Sequence, residues 1–482
     1  MKFAIKLFPE ITLKSRPVRK QFIAQLRRNI KNSLKYNGIA SQVQGQWDSI
    51  EVTMDGDELE LPARACMQRI PGIDKILTVK EHNFKTFDDI LDIAENIYAK
   101  EIENKSFCVR VKRSGEHDFR SIDVERYVGG GLLQRINGST VKLKNPEYTV
   151  KMEIRKQRLL TISAIDKGMG GYPHGCLDGV LSLMSGGFDS TVASYLMSRR
   201  GLLTHFVFFN LGGTAHEVGV KQAAHFLWKQ YAISHGVKFV TVPFEGVVAE
   251  ILKNVDNSQM GVILKRMMLR AASKVADDLG IEALVTGECI AQVSSQTLRN
   301  LNVIDAVTDT LVLRPLICMD KPEIINISRE IGAYDFAARM PEYCGVISVK
   351  PTTRAKPEKI EFEETKFDFE VLNEAIRDSR VEAIKDVLSS SEGIMDIDLV
   401  QIPATDSIVI DIRSPHEEEL NPLHLTNNTI LKIPFYELMA HLEDLPKDRD
   451  VLLYCAKGTM SQMHAQQLKQ SGIERVKVFK PS

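Results

Sequence analysis

The stretch Ser185-Gly-Gly-Phe-Asp-Ser190 stands between an apolar run of strand length, Val180–Met184, and a run with helical spacing, Thr191–Met197. Its two glycines therefore occupy a turn that leads from a strand into a helix. Residues without a Cβ let the backbone approach a bound group closely, and N–H groups at the start of a helix point towards an anion. We therefore predict a phosphate cradle formed by Ser185, Gly186, Gly187 and Ser190.

The cradle lacks the Gly-Lys-Ser/Thr ending of a Walker loop, so the positive charge for a nucleotide must come from another part of the chain. Asp189 would repel phosphates unless Mg²⁺ lies between them, and we expect such an ion at this carboxylate. Gly-Gly alone also fits an ordinary tight turn. The complete hexapeptide between strand and helix resembles the PP-loop of the ATP pyrophosphatases, which cleave ATP between its α and β phosphates.

Length and charge indicate several domains with different tasks. A chain of 482 residues has room for three or four domains of ordinary size. Residues 1–36 carry ten Lys or Arg and one acid, whereas residues 358–398 carry thirteen acids and five bases. Polyanion binding therefore belongs to the N-terminal part, where a solvated basic surface is the alternative.

The seven cysteines include no Cys-x-x-Cys pair, so neither a zinc knuckle nor a disulfide framework is indicated. This pattern favours a reducing compartment. Lys6 interrupts the apolar N-terminus, so we expect no signal-peptide core there, and no apolar run approaches the ~20 residues that span a bilayer. We expect a cytoplasmic protein without a membrane partner.

Residues 1–75 show strand and helix patterns typical of a small α+β unit, which we interpret as a ferredoxin-like domain. In residues 76–173, Ser106–Arg113 alternates as a strand with Arg110 and Lys112 outward. Two stretches there, 107–113 and 117–130, resemble the THUMP domain of RNA-modifying enzymes. The resemblance implies an RNA-binding α/β domain, and our candidate contacts are Arg110, Lys112, Arg113 and Arg120.

Residues 174–356 alternate strands and helices, which predicts a doubly wound parallel sheet with helices on both faces. Ligands of such sheets bind at the carboxyl ends of the strands. The strand patterns are Gly179–Met184, Thr204–Asn210, Val237–Val242, Ala283–Thr286 and Leu311–Leu316.

Several polar stretches follow these strands or lie on the helices between them. Gly287 permits close approach, and the amides of Gln292–Thr297 are suited to an adenine edge. A helix over Gln259–Leu279 carries Lys265 as a candidate phosphate cation, with Arg266 and Arg270 on one face. Lys321, at the start of a later helix, is a second candidate.

Residues 357–401 are predicted to form an acidic helical linker, and residues 402–482 a last domain. Cys455 ends a strand pattern and precedes a short loop and a helix, a position where backbone N–H groups lower a thiol pKa and hold a persulfide. The Asp-Ile-Arg strand and the Cys-x-x-Gly loop resemble a rhodanese domain. Met460 stands where many rhodaneses have an arginine for small anionic donors, so a protein persulfide is the expected sulfur source.

Together with Met340-Pro-Glu-Tyr-Cys-Gly345, these features resemble the tRNA 4-thiouridine synthetase (thiamine-biosynthesis sulfurtransferase) family over essentially the whole chain. The resemblance implies ATP contacts at Leu183, Met184, Lys265, Gly287 and Gln296. It implies that Asp189 and Lys321 serve adenylation, that Cys455 carries a persulfide, and that Cys344 resolves it by a disulfide with Cys455 or by releasing sulfide.

The resemblance further implies uridine 8 of tRNA as the target, with ATP and Mg²⁺ required. The implied partners are tRNA, a cysteine desulfurase as sulfur donor, the thiazole-synthesis sulfur-carrier protein and a cellular reductant, and a homodimer is left open. Two alternatives stand beside this interpretation. A small-molecule PP-loop synthetase would use the same cradle, and a non-catalytic RNA-binding sulfur carrier would use the flanking domains.

Overall fold

The computed structural model describes residues 1–45, 49–56, 58–211, 214–338, 340, 350–388, 397–413, 418, 421–435, 438, 441–446, 448–455 and 459–481. These residues form two compact units. Unit 1 comprises residues 1–176 and 199–201, and unit 2 comprises residues 177–198 and 202–482.

The α-helices are α1 (Pro9–Thr12), α2 (Arg16–Tyr36), α3 (Glu60–Met67), α4 (Phe87–Ile102), α5 (Ser121–Arg135), α6 (Phe188–Arg200), α7 (Thr214–Leu227), α8 (Glu245–Asn254), α9 (Met260–Leu279), α10 (Leu298–Asp305), α11 (Lys321–Glu330), α12 (Tyr334–Ala338), α13 (Pro357–Glu364), α14 (Phe369–Arg377) and α15 (Thr459–Gln470). A π-helical turn at Trp228–Ala232 follows α7, and 3₁₀ turns lie at Ser294–Gln296 and Leu442–Asp444.

The strands are β1 (Lys2–Leu7), β2 (Gln42–Gly45), β3 (Ser49–Thr53), β4 (Ile73–Asn83), β5 (Ser106–Ser114), β6 (Thr140–Val141), β7 (Tyr148–Arg155), β8 (Arg158–Lys167), β9 (Gly179–Leu183), β10 (Leu203–Asn210), β11 (Lys238–Pro243), β12 (Ala283–Val285), β13 (Leu311–Leu313), β14 (Arg380–Ala383), β15 (Leu399–Val400), β16 (Ile408–Asp411), β17 (Thr429–Lys432), β18 (Val451–Tyr454) and β19 (Val476–Phe479).

Unit 1 contains one eight-stranded sheet in the order β2-β3-β1-β4-β8-β7-β5-β6. The long strand β4 pairs antiparallel with both β1 and β8, so the sheet continues from the N-terminal α+β segment into the segment that resembles THUMP. One main core lies between β5, β7 and the helices α4 and α5. Strand β8 was not among the strands that the sequence pattern indicated.

The sheet of unit 1 is strongly curled. Lys6 on β1 lies 2.8 Å from Glu153 on β7, and Arg155 on β7 lies 3.0 Å from Glu51 on β3. Neighbouring strands are about 4.8 Å apart, so β3 and β7, four positions apart, would be separated by roughly 19 Å in a flat sheet. The ion pairs therefore bridge the inner face of a sheet that bends back on itself.

Unit 2 begins with a six-stranded sheet in the order β13-β12-β9-β10-β11-β14. The pairs among its first five strands are all parallel. Alternate residues of β9 face different cores: Val180 packs with α6 and α11, whereas Leu181 packs with α8 and α9. The predicted doubly wound α/β arrangement is therefore confirmed.

The chain runs from β9 to β10 and β11 on one side of this sheet and returns to β12 and β13 on the other. The order therefore reverses between β9 and β12. Ligands of open α/β sheets bind outside the carboxyl ends of the strands at such a reversal. The PP-loop (Ser185–Ser190) follows β9 and Gly287 follows β12, so both lie at that place.

The predicted acidic helical linker is only partly helical. Residues 357–364 and 369–377 are helices, but Arg380–Ala383 forms β14, which pairs antiparallel with β11. The expectation of helix is wrong for these four residues. Its two apolar residues, Val381 and Ala383, are both exposed, so the sequence shows no burial pattern typical of a strand. Ion pairs to α7 hold it instead, from Arg380 to Glu217 and from Glu382 to Lys221.

Helix α13 is fixed to the PP-loop sheet by a buried ion pair. Arg266 on α9 donates to both carboxylate oxygens of Glu364 over 2.7 and 2.8 Å, and Arg270 reaches the same carboxylate over 3.2 Å. The side chains of Arg266 and Glu364 are 7% and 9% exposed. This part of the predicted linker is therefore an integral layer of the α/β fold of unit 2.

The last residues of unit 2 form a five-stranded parallel sheet in the order β15-β19-β18-β16-β17. Strand β18 lies in its centre and ends one residue before Cys455. Helix α15 packs on β18 and β19, with Ala465 and Leu468 in the core, and also contacts α7. In the part of the chain that the structure describes, no helix is both long and apolar enough to cross a membrane.

The ion pair of α13 gives a first prediction. Glu364→Ala should lower the free energy of unfolding of unit 2 by about 3 kcal/mol or more, because it leaves the guanidinium of Arg266 buried without its carboxylate. The measurement is urea denaturation followed by tryptophan fluorescence. The matched control is Glu361→Ala, an exposed carboxylate on the same helix, for which we expect a change within ~0.5 kcal/mol. If the two substitutions lowered the free energy of unfolding equally, the buried ion pair would not be what fixes α13.

Candidate active site

The carbonyl oxygens of the PP-loop are held by donors from the protein. His216 Nε2 lies 3.2 Å from the oxygen of Ser185, and the oxygen of Gly187 accepts from the N–H of Thr191 over 3.1 Å. The Thr191 hydroxyl lies 3.5 Å from the oxygen of Gly186. In a trans peptide the N–H of the next residue points the opposite way. The loop N–H groups are therefore directed away from these donors.

Those N–H groups are the donors that the sequence analysis assigns to a bound anion. Within the described residues, neither Gly186 N–H nor Gly187 N–H has a hydrogen-bond partner. They lie next to the N-terminus of α6, where the helix dipole also favours negative charge. Ser190 closes the turn, since its hydroxyl lies 3.1 Å from Ser185 N and 3.0 Å from Ser185 Oγ.

Two glycines of the site cannot carry a side chain. Gly186 has a φ of +80°, and a Cβ there would lie 3.0 Å from the side chain of Met340. A Cβ on Gly287 would lie 2.6 Å from the carbonyl carbon of Asp189 and 2.7 Å from Ser190 N. The loop after β12 therefore packs directly on the backbone at the start of α6, which brings Gly287 beside the PP-loop.

Asp189 and Lys321 form the polar centre of this edge of the sheet. Lys321 Nζ lies 2.8 and 2.9 Å from the two carboxylate oxygens of Asp189, and the exposed Gln292 donates to the same carboxylate over 2.9 Å. The ammonium also lies 5.8 Å from the centre of the Phe188 ring. The structure thus brings together two side chains, 132 residues apart, that the sequence analysis connected only through the family resemblance.

The neighbouring Cys289 is unsuited to carrying sulfur. Burial raises the pKa of its thiol, and the negative charge of Asp189 raises it further, against a smaller opposing effect of Lys321. A thiol with a raised pKa stays protonated at neutral pH, and the protonated form is a poor nucleophile.

Lys265 lies on the other side of the site, next to a buried carboxylate. Its ammonium is 3.8 Å from Glu288, and Arg314 donates to the same carboxylate over 2.9 Å. Glu288 is 4% exposed and also accepts from Thr286 over 3.0 Å. The side chain of Lys265 is 27% exposed, so it is positioned by Glu288 and still open to a ligand.

The residues expected to contact the base and sugar are arranged as follows. Leu183 ends β9, and the side chain of Met184 is buried in the core, so Met184 can offer a ligand only backbone atoms. Gln296 lies in a 3₁₀ turn and is 8% exposed. Among the described residues its Oε1 atom has no hydrogen-bond partner. An unpaired buried acceptor is costly, which is consistent with a ligand donor at this position.

Two arginines that the sequence analysis placed beside Lys265 have a structural task. Arg266 and Arg270 do share a face of α9, but that face meets Glu364 of α13. Their charges are therefore compensated within the fold. Lys265 and Lys321 remain the candidate phosphate cations.

The structure describes no group of three or more His, Cys, Asp or Glu side chains that could hold a metal ion. Magnesium typically takes one or two protein carboxylates and completes its shell with phosphate oxygens and water. Asp189, whose side chain is 24% exposed beside the PP-loop, fits such a single-carboxylate site.

The candidate RNA-binding residues of unit 1 lie at the end of β5 and the start of α5. Arg110, Lys112 and Arg120 are exposed, and Arg113 is half-buried with its guanidinium 3.0 Å from His117 Nδ1. Arg120 lies 3.2 Å from Asp123. These cations therefore present a basic edge, of which Lys112 has the least local compensation within the described structure.

Cys455 lies at the carboxyl end of β18. It is 8% exposed, and the N–H of Ser461 in the first turn of α15 donates to its sulfur over 3.4 Å. The strand β16, which pairs with β18, carries Asp411, and this residue makes a buried two-point ion pair with Arg413. The sulfur therefore faces a helix N-terminus, as predicted. Cys344 and the side chain of Met460 lie outside the described residues.

Two residues of the site were missed by the sequence analysis, His216 and Glu288, and Gln292 was expected at an adenine edge and not as a partner of Asp189. Glu288 directly follows Gly287, so its place at the end of β12 was a usable signal. No spacing connects His216 or Gln292 to the PP-loop, because both reach it only through the tertiary fold.

Four family models match the chain. Residues 175–369 match the thiamine biosynthesis protein ThiI, 3–76 the ThiI ferredoxin-like domain, 84–163 the THUMP domain and 398–481 the rhodanese-like domain. The chain is 50% identical to a tRNA sulfurtransferase of Shewanella amazonensis and 51% identical to one of Photorhabdus laumondii, in both cases over 100% of each chain.

Solved structures agree with these matches. A 4-thiouridine synthetase solved in complex with RNA and ATP has a TM-score of 0.70 at 26% identity, over 80% of this chain and 99% of that one. A Pyrococcus horikoshii protein shares the fold, with a TM-score of 0.54 at 21% identity over 69% of this chain and 100% of that one. The chain belongs to the tRNA sulfurtransferase family, the family of the thiamine biosynthesis protein ThiI.

Proposed function

We propose that this chain is an ATP-dependent tRNA sulfurtransferase that converts uridine 8 of tRNA to 4-thiouridine and forms AMP and pyrophosphate. The observation that carries the proposal is the PP-loop, whose Gly186 and Gly187 N–H groups are unpartnered among the described residues and lie beside the Asp189–Lys321 pair. The full-length similarity to tRNA sulfurtransferases supports the choice of substrate.

In the first step, O4 of uridine attacks the α phosphate of ATP and pyrophosphate leaves. The loop N–H groups and the ammonium groups of Lys265 and Lys321 bind the phosphates and stabilise the negative charge that develops on them. Leu183, Met184, Gly287 and Gln296 would line the rest of the nucleotide site. Asp189 would hold Mg²⁺, which when bound would supply positive charge against the pyrophosphate.

In the second step, sulfur replaces the activated oxygen. Cys455 receives sulfane sulfur from a cysteine desulfurase persulfide, whose own cysteine is released as a thiol. The terminal sulfur of the Cys455 persulfide then attacks C4, and AMP leaves with the former O4. Cys344 resolves the sulfur either by attacking Cys455 Sγ, which forms a disulfide and frees 4-thiouridine, or by releasing sulfide that attacks C4. A cellular reductant restores both thiols.

We assign residues 1–75 to a ferredoxin-like domain, 76–173 to THUMP and 174–356 to the PP-loop domain. Of the predicted linker 357–401, residues 357–387 pack on the PP-loop domain and Leu399–Val400 pairs with β19, so we assign 388–397 to the linker and 398–482 to rhodanese. The first two domains would hold tRNA through the basic edge of unit 1. The same persulfide would also supply the thiazole-synthesis sulfur-carrier protein, and the reaction would take place in the cytoplasm. The test of the whole scheme is tRNA-dependent release of pyrophosphate from radiolabelled ATP, with unmodified tRNA as substrate.

Asp189→Ala should lower the rate of tRNA-dependent pyrophosphate release by about 100-fold or more, because the ammonium of Lys321 loses its partner and Mg²⁺ loses its protein ligand. Filter binding should show unchanged tRNA affinity. Asp335→Ala, an exposed carboxylate on α12, is the matched control. Undiminished pyrophosphate release by Asp189→Ala would remove this carboxylate from the mechanism.

Replacing Lys112 and Arg120 together by alanine should weaken tRNA binding and reduce the slope of log Kd against log salt by roughly one to two, since each lost phosphate contact releases fewer counterions. The measurement is tRNA affinity between 50 and 300 mM salt, about the range where such contacts dominate. Lys274→Ala, which removes an exposed lysine paired with Asp278, should leave the slope unchanged. Identical slopes for the wild type, the double variant and Lys274→Ala would show that the basic edge is an ordinary solvated surface that does not bind tRNA.

Cys455→Ala should still release pyrophosphate but should accept no labelled sulfur and form no 4-thiouridine. Cys344→Ala should load sulfur on Cys455 yet stop after about one turnover or less, because no second thiol resolves the persulfide. Cys318→Ala, which removes an exposed free thiol, should behave as the wild type.

Mass spectrometry of enzyme quenched in single turnover without reductant should detect a peptide pair joined through Cys344 and Cys455. Multiple turnover by Cys344→Ala at the wild-type rate would exclude the resolving role.

A further inference from the structure

His216, in the first turn of α7, is enclosed by the fold next to the PP-loop. It is 5% exposed, and its ring packs edge-on against Phe208 with the ring centres 4.8 Å apart. Its Nε2 atom lies 3.2 Å from the carbonyl oxygen of Ser185. No other residue in the described structure donates to that oxygen.

The direction of this hydrogen bond follows from chemistry. A carbonyl oxygen only accepts, so Nε2 must carry the hydrogen. Burial lowers the pKa of His216 to about 4, against a smaller opposing effect of the Ser185 hydrogen bond. At neutral pH the ring is therefore uncharged and its Nε2–H is committed to the loop.

The peptide between Ser185 and Gly186 needs such a restraint. Gly186 has a φ of +80°, and glycine accepts positive and negative φ with similar ease, so this peptide plane can rotate at low cost. Rotation would turn the Ser185 oxygen towards the anion site and the Gly186 N–H away from it. A carbonyl dipole in that place repels phosphate, whereas the N–H binds it.

We propose that His216 is a positioning residue for the triphosphate of ATP: its Nε2–H fixes the Ser185 carbonyl and thereby aims the Gly186 N–H at the phosphates. This inference rests on the proposed function of the PP-loop as the ATP site. His216 does not touch the reacting atoms and acts through one peptide plane.

Helix α7 is itself well fixed, which the role requires. Lys221, 3% exposed, lies 2.9 Å from Glu217 on the same helix and 2.6 Å from Glu382 on β14. Val220 lies on the side that faces the loop, since a Cβ on Gly186 would be 3.2 Å from its methyl group. The imidazole is therefore presented by a helix that ion pairs and packing anchor at several points.

The test compares the affinity for a non-hydrolysable ATP analogue, by calorimetry, in His216→Ala, His216→Gln and His216→Asn of the full chain. We expect His216→Ala to weaken binding about three- to tenfold, the effect of one hydrogen bond. Glutamine places its side-chain N–H about as far from the backbone as histidine Nε2–H and should restore most of the affinity. Asparagine is shorter and should not. His225→Ala, half-buried on the same helix, is the control and should bind as the wild type.

The KM for ATP in pyrophosphate release should rank the variants in the same order. If His216→Ala lowers Tm, glutamine and asparagine variants of similar Tm still separate the hydrogen bond from packing. Wild-type affinity in His216→Ala, or equal affinity in the glutamine and asparagine variants, would overturn the proposal. A wild-type protein that binds the analogue but releases no pyrophosphate with tRNA would overturn the proposed function and leave this comparison valid.

Discussion

The direction of three carbonyl groups determines what the PP-loop can bind. A turn of this length offers as many acceptors as donors, and a nucleotide triphosphate is attracted only if the acceptors face elsewhere. Here the oxygen of Ser185 is held by His216 of α7, and the oxygens of Gly186 and Gly187 are held by Thr191 in the first turn of α6. The anion binding that we propose for the loop thus depends in part on α7, a helix outside the proposed nucleotide contacts.

The same requirement explains the crowding around the loop. Gly287 lies so close to the start of α6 that even a methyl group would overlap with backbone atoms. Close approach of this kind aligns two strand ends at the reversal of the sheet order, where Asp189 and Lys321 then meet. The ion pair between them is a consequence of the topology, because the two residues come from opposite sides of that reversal.

Much of this architecture follows from local sequence. The hexapeptide between an apolar run and a helical run predicts the cradle. The alternation of strand patterns with helix patterns along residues 174–356 predicts the parallel sheet. Both signals involve residues that are close in sequence. Strand β14 was not predicted, because it is stabilised by pairing at the sheet edge and by ion pairs to α7, with almost no apolar burial. The contact of His216 with the PP-loop was not predicted for a related reason. The sequence around a histidine at a helix start does not indicate which distant peptide group its ring will contact.

The anchoring of residues 357–387 limits the length of chain that connects the two sheets of unit 2. Ile384 and Val387 are 1% and 0% exposed, packed in the core beside the PP-loop sheet. From Leu388 to Ile397 the chain can span at most roughly 30 Å, whatever conformation it adopts. A domain on such a short connection stays near the PP-loop sheet of its own chain, which raises its local concentration there above that of a second molecule. In the proposed reaction, delivery of sulfur within one chain would therefore not depend on enzyme concentration.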